Sequence, residues 1–304
     1  MTRSEKIRGT VVPMISPFTA DRELDGEAAA RLVDRLAQNK LGAFVLGTTG
    51  EAASIPGRMR RELVAIAVQA AEGRVPVFAG IGENCVLESI AAAREYLKQG
   101  VDAVVAHLPS YYLLKPDEMI AYFRLLCQEI DGPIMIYNIP QATRMSIPVE
   151  VVEALASEKC IIGFKDSEAT PGRLELVAPL AQRDDFSVFM GAARLSVEAL
   201  KAGFDGLVPS SGNLEPALWH QLETLAAQGD WEGAKACQDQ LDHLSLVYQE
   251  NRTLGQSLAA LKAAMCVDGL CQPYVLPPLL TLEGAERDTV VQALAARRQC
   301  PNPV

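Results

Sequence analysis

The sequence predicts an α/β protein, a (β/α)8 TIM barrel over residues 1–228 followed by a C-terminal helical subdomain over 229–304. Three observations carry that expectation. Eight short β-branched runs alternate with eight longer runs of helical period, which is the pattern of βα units. The short runs are apolar almost throughout (AFVLG, PIMIYNI), as parallel strands covered on both faces must be. No G-x-G-x-x-G opens the first βα turn, which removes the main signature of a doubly wound dinucleotide fold. Length alone allows two average domains, but eight βα units in about 225 residues fit one closed barrel.

The elements follow in order. Ile7–Met14 reads as the first strand and 27–39 as its helix, with Gly42 just past the end. Gly42–Gly47 precedes a helix over 57–72 entered at Pro56, and Val75–Ile81 precedes one over 86–99 stopped by Gly100. Val101–Leu108 leads to 117–130, with Pro116 at its entry, and Pro133–Ile139 leads to 148–158, entered at Pro148. Ile161–Lys165 is followed by 172–183 after Pro171. Ser187–Gly191 is followed by 194–202, closed by Gly203. Phe204–Pro209 is followed by 214–227, with Pro216 in its first turn. Proline suits a first turn because its missing N–H would be unsatisfied there anyway, and glycine adopts the left-handed conformation that ends a helix. Beyond 229 the period is helical over Asp230–Asn251, Thr253–Val267 and Gly284–Arg298, with a Pro-rich link at 273–278.

Composition narrows the function. With 38 acidic and 28 basic residues the net charge is −10, so there is no basic footprint for nucleic acid or an anionic membrane. The longest uncharged run, Gly269–Leu282, carries three prolines and falls short of the ~20 residues that span a bilayer. The N-terminal MTRSEKIRG has no apolar core of a secretory signal, and a cytoplasmic location is expected. The seven cysteines are scattered without C-x-x-C, which reads as reduced, mostly buried thiols. His107, His220 and His243 lack metal-ligand spacing, so no metal site is expected.

In a barrel of this type reactive groups sit at the C-terminal strand ends and the loops after them. Of the nine lysines, only Lys165 closes an apolar strand; Lys262 and most others fall in helices or at their ends. Desolvation there lowers an amine's pKa, and a neutral amine can attack a carbonyl to form a Schiff base. A lysine that merely pairs a strand-end carboxylate is the alternative. Tyr137, fifth from Pro133, matches Lys165, fifth from Ile161, on a neighbouring strand about 4.8 Å away. It is either a proton carrier or a strand-end filler. Gly47-Thr48-Thr49-Gly50-Glu51 joins two glycines, two hydroxyls and successive N–H groups, a turn suited to a carboxylate.

Gly47–Glu51, Tyr137-Asn-Ile-Pro140 and Gly163-Phe-Lys-Asp166, with Gly80-Ile-Gly-Glu-Asn84 and Pro109-Ser-Tyr-Tyr112, resemble the dihydrodipicolinate synthase/N-acetylneuraminate lyase family. The resemblance runs from about Gly9 into the C-terminal helices. It implies a metal-independent class I lyase or synthase that acts on pyruvate or a longer 2-oxo acid. The imine on Lys165 would stand in place of a cofactor. It also implies a homotetramer built as a dimer of dimers. Lys165 matches the imine-forming lysine, Tyr137 the proton donor and acceptor, Thr48 the relay hydroxyl, and Thr49, with Gly47, the carboxylate site. Tyr111, or Tyr112 one residue on, matches the tyrosine that enters a neighbouring subunit's site. Val208 matches an apolar wall.

The departures bear on substrate. Dihydrodipicolinate synthases typically read Y-N-x-P-x-R-T-G, whereas this chain has Ala142 at the arginine and Arg144 at the glycine. A missing charge-assisted contact to the semialdehyde's carboxylate is worth roughly 1.5–3 kcal/mol. The expectation is therefore a lyase, aldolase or dehydratase for a 2-keto-3-deoxy sugar acid or 4-hydroxy-2-oxo acid. The alternatives are 4-hydroxy-tetrahydrodipicolinate synthase and, remotely, a non-catalytic sugar-acid-binding barrel. Arg144 would supply charge for such a substrate, cap the helix near Pro148 or pair with a partner subunit. His107 would pack against neighbours or line the pocket, and Trp219 and Trp231 would pack outer helices.

Overall fold

The structure, a computed structural model, describes residues 6–299. Cys300, one of the seven cysteines, lies outside them. The first half of the chain forms β1 (Gly9–Pro13), α1 (Gly26–Gln38), β2 (Gly42–Val45), α2 (Gly57–Ala71), β3 (Val77–Gly80), α3 (Val86–Gln99), β4 (Ala103–His107) and α4 (Pro116–Glu129). Next come β5 (Ile134–Asn138), α5 (Pro140–Thr143), α6 (Val149–Leu155), β6 (Ile161–Asp166), α7 (Arg173–Val177), β7 (Ser187–Met190), α8 (Ser196–Lys201) and β8 (Gly206–Leu207). The chain then adds α9 (Pro216–Ala227), α10 (Trp231–Gln249), α11 (Leu254–Val267) and α12 (Gly284–Gln299). The strands close into a parallel barrel in sequence order. The expected (β/α)8 barrel with C-terminal helices is therefore the observed fold.

Two differences from the expected elements have local causes. The helix expected over 172–183 is α7 alone, continued as a 3-10 turn over Ala178–Gln182. Pro179 lacks the N–H an α-helix would use there. The short turn α5 was not expected, and it begins at Pro140, where proline is tolerated.

One compact unit comprises the chain through Val11 together with Pro76–Pro209. It holds β3 to β8, with Val104, Ile136, Phe164, Val188 and Phe189 fully buried. Its β5–β6 pairing contains an irregularity: Ile134 faces Ile161, but Met135 already faces Gly163. The extra residue, Ile162, advances β6 by one position, and a one-residue slip exchanges the two faces of a strand. A Cβ on Gly163 would stand 2.4 Å from the Ser187 carbonyl oxygen on β7, so only glycine fits beside the bulge.

The expectation of reduced thiols fails in this unit. Cys127 near the end of α4 and Cys160 just before β6 form a disulfide with Cα atoms 5.8 Å apart. Residues scattered in sequence are brought within bridging distance because α4 packs on α6, the helix that leads into β6, which spacing alone does not reveal.

The second unit comprises Val12–Val75 and the chain from Ser210 onward. Asn213 clips the chain after β1, donating from Nδ2 to the Pro13 carbonyl and accepting from the Ile15 N–H, each at 3.0 Å. Trp219 on α9 is fully buried with its indole N–H on Ser211 Oγ, while Trp231 is half-buried at the start of α10. Thr253 and Gln256 form a reciprocal capping box at the start of α11. No helix among the described residues is long and apolar enough to cross a membrane.

Candidate active site

The advance of β6 sets Lys165 opposite Tyr137, which in turn is opposite His107 on β4. Lys165 and Tyr137 are each 4% exposed, and Lys165 Nζ lies 3.6 Å from the centre of the Tyr137 ring. Burial drives the lysine's pKa down; the phenol, which is hydrogen-bonded to it, works in the other direction. Without the bulge, Phe164 would face Tyr137, and Lys165 would project from the opposite side of β6.

The adjacent carboxylate is engaged elsewhere. Asp166 accepts from Arg173 Nε at 2.7 Å and from Asn138 Nδ2 at 2.8 Å, and it also accepts the Glu168 N–H at 3.0 Å. Arg173 reaches on to the Ile147 carbonyl at 2.9 Å, and Asn138 Oδ1 accepts from the Ile147 N–H at 3.0 Å. The strand-end carboxylate considered as a partner for Lys165 is thus held by an arginine and an amide, in a buried network that ties β5 to β6. Sequence reading missed Asn138 and Arg173. The Asn directly after Tyr137 and the Asp directly after Lys165 were the available signal.

His107 is half-buried, with Nδ1 2.8 Å from the Leu108 carbonyl oxygen and its ring beside Gly82. Desolvation lowers its pKa, and the charge of Lys165 adds to that. Its ring meets Tyr137 edge to face at 6.3 Å. Tyr111 and Tyr112 are 77% and 72% exposed and pack on each other at 5.1 Å. Val208 is buried just after β8, its N–H on the Met190 carbonyl at 2.7 Å. Arg144 takes a left-handed conformation (φ 59°) at the end of α5 and is exposed. Its guanidinium has no partner among the described residues. It does not cap α6, whose N-cap is Pro148 with no side-chain cap.

In the second unit Gly47–Glu51 forms a compact turn, with the Gly50 N–H on the Gly47 carbonyl and the Glu51 N–H on the Thr48 carbonyl, each at 3.1 Å. A Cβ on Gly50 would stand 3.0 Å from the Met14 carbonyl oxygen, so the turn lies against the chain after β1. Thr49 is nearly buried, and neither its hydroxyl nor its N–H has a hydrogen-bond partner among the described residues. Glu51 forms a fully buried ion pair with Lys262 of α11. The reading that left Lys262 among ordinary helical lysines missed this. A lone charge inside Ser257-Leu-Ala-Ala-Leu-Lys-Ala-Ala-Met-Cys-Val was the signal. No group of three or more His, Cys, Asp or Glu side chains among the described residues is placed to hold a metal ion.

The chain is thus a (β/α)8 barrel with a desolvated strand-end amine packed on a phenol. The chain belongs to the dihydrodipicolinate synthetase family, which it matches over residues 6–297, and like the members of that family it is a lyase. It is 35% identical over 236 residues to the 4-hydroxy-tetrahydrodipicolinate synthase of Methanothermobacter thermautotrophicus, covering 75% of this chain and 82% of that one. With the enzyme of the same name from Alkalilimnicola ehrlichii it shares 31% identity over 290 residues, 94% of this chain and 97% of that one. Among solved structures, dihydrodipicolinate synthase from Bacteroides thetaiotaomicron superposes with a TM-score of 0.90 at 29% identity, covering 96% and 99% of the two chains. YagE, a prophage protein of the dihydrodipicolinic acid synthase family from E. coli K12 in complex with pyruvate, superposes with a TM-score of 0.90. Its identity is 27%, with 97% of this chain and 99% of that one covered.

Proposed function

We propose that this chain is a class I lyase that binds a 2-oxo acid as a Schiff base on Lys165. The observation that carries the reading is the buried Lys165 amine packed against Tyr137 in register on the adjacent strand. The neutral amine attacks C2 of the oxo acid, the Tyr137 phenol gives up its proton as water leaves, and a protonated imine and a phenolate form. Tyr137 takes the proton of the C4 hydroxyl, the C3–C4 bond breaks, and its electron pair moves into the imine as an enamine. The departing fragment leaves as an aldehyde. Protonation at C3 and attack of water on the imine then release pyruvate and restore the amine. Thr48 is assigned the proton relay, Thr49 and Gly47 the carboxylate, and Val208 the apolar contact to the bound acid.

For the substrate we propose a 2-keto-3-deoxy sugar acid or 4-hydroxy-2-oxo acid, because Ala142 offers no charge where the synthases typically have arginine. The second reading is condensation of pyruvate with aspartate semialdehyde. The names of the relatives favour it, and so does Arg144, an exposed cation two residues from Ala142. Assembly as a homotetramer, with exposed Tyr111 entering a neighbouring copy's site, belongs to the same proposal and is read from mass in solution. So does a cytoplasmic location: disulfides are rare in reducing compartments, so free Cys127 and Cys160 thiols after acid quenching in cells are expected there, and the formed bond counts against it.

The test is borohydride reduction in the presence of pyruvate, followed by peptide mass mapping. A pyruvate-derived adduct on Lys165 is expected; an adduct elsewhere, or none, removes the mechanism. A panel of 2-keto-3-deoxy acids and aspartate semialdehyde, read for pyruvate release, dehydrated product or pyruvate consumption, then separates the substrate readings.

A further inference from the structure

Lys262 is 0% exposed on α11, far along the chain from every residue assigned a role above. A charged side chain this deep is normally paired, and this one is held by three contacts. It forms the ion pair with Glu51, donates to the Tyr274 carbonyl at 2.8 Å, and stands 4.2 Å from the centre of the Phe18 ring. Glu51 in turn accepts the Leu276 N–H at 3.0 Å. Glu51 is the last residue of the Gly47–Glu51 turn and adopts a left-handed conformation (φ 57°), which a residue with a side chain holds only under restraint. Two residues earlier stands Thr49, with its N–H and hydroxyl uncommitted among the described residues. The Lys262–Glu51 pair is therefore the anchor at one end of that turn, and Ser16, which donates from Oγ to the Gly50 carbonyl at 2.7 Å, supports it beside the anchor.

We propose that Lys262 is a positioning residue. Through its buried ion pair with Glu51 it holds the Gly47–Glu51 turn in the shape that receives the 2-oxo acid's carboxylate, so the C-terminal helices help to set substrate affinity. This rests on the assignment of that turn to the carboxylate made above. Removing the lysine leaves Glu51 buried and unpaired, and a carboxylate in that state takes up a proton or draws in water. Either response releases the left-handed turn.

The experiment compares wild type with Lys262→Met, which keeps the stem and removes the charge. Borohydride trapping on Lys165 is titrated with two carbonyl probes: pyruvate, and acetaldehyde, which has no carboxylate. The expected result is a tenfold or greater rise in the half-saturating concentration of pyruvate, with the acetaldehyde titration within about twofold of wild type. An unchanged pyruvate titration overturns the proposal. Equal weakening of both probes also overturns it, because that is general damage to the barrel and not a loss of carboxylate positioning. If Lys262→Met does not fold, the double variant Glu51→Gln/Lys262→Met, which buries no lone charge, replaces it under the same criteria; failure of that variant to fold overturns the positioning role. Wild type that traps acetaldehyde on Lys165 but does not saturate with pyruvate shows the carboxylate assignment to be wrong, and the proposal falls with it. Wild type that traps neither probe refutes the imine chemistry itself, a different failure.

Discussion

Replacing Tyr137 with phenylalanine removes one oxygen and leaves the ring. The ring centre sits 3.6 Å from Lys165 Nζ, and both residues are 4% exposed, so the phenylalanine variant keeps the packing and the desolvation of the amine. Burial still lowers the lysine's pKa, and the phenol's opposing hydrogen bond is gone, so the neutral amine is favoured further. Adduct formation at equilibrium is therefore expected to stay within a few-fold of wild type. Turnover is another matter, because the group proposed to take the C4 hydroxyl proton is missing. General acid–base catalysis is worth about 10²–10⁴-fold, or roughly 2.7–5.4 kcal/mol at 1.36 kcal/mol per decade. The assay pairs borohydride trapping on Lys165 with steady-state pyruvate release from the best substrate of the panel. Turnover within about threefold of wild type would refute the acid–base role. A loss of adduct as large as the loss of turnover would refute it equally, by showing that the phenol serves imine formation alone.

Lys165→Met should raise thermal stability at neutral pH. The folded state holds the lysine's pKa below its ordinary value of about 10.4, so the unfolded chain binds more protons between those two values. The native lysine's penalty is complete below the lowered value and fades as pH rises toward 10.4; melting curves from pH 6 to 10.5 should show the methionine's advantage shrinking across that window. Gly163→Ala places a Cβ 2.4 Å from the Ser187 carbonyl oxygen, and urea unfolding should show a loss of about 1–3 kcal/mol, with weaker trapping on Lys165. Arg173→Met leaves Asp166 buried without a counter-charge, held only by the Asn138 amide and the Glu168 N–H, and chemical unfolding at neutral pH should show a loss of roughly 3–5 kcal/mol. That loss should diminish as pH falls and Asp166 takes up a proton.

Much of the architecture was legible because it is repetitive. Apolar runs recur eight times, with five entry prolines and three closing glycines between them, and each repetition corrects the reading of the others. The Lys165–Tyr137 pairing was legible for a weaker reason. Counting from Pro133 and Ile161 gave the right partners although β5 begins at Ile134, because the bulge at Ile162 supplies the missing residue. Periodicity does not register such a bulge; Gly163 beside it is its only trace in the sequence. The disulfide and the Lys262–Glu51 pair were not legible, since each joins residues whose proximity only the fold creates. The role of Arg144 was open to three readings, and the structure removed one by leaving α6 without a side-chain cap.

Lys165 and Lys262 are both buried, and burial lowers the pKa of each, yet the roles proposed for them are opposite. The difference lies in what opposes the burial. At Lys262 it is the full charge of Glu51, which favours an ammonium locked in place and useless as a nucleophile. At Lys165 it is the Tyr137 phenol, hydrogen-bonded to the amine. The chain has 38 acidic residues, and the carboxylate nearest to Lys165 in sequence is Asp166. Arg173 and Asn138 hold that carboxylate in their own network, and its alternate position on β6 turns it to the other face. On the mechanism proposed above the arginine would act indirectly, by engaging Asp166 and leaving Lys165 desolvated beside Tyr137.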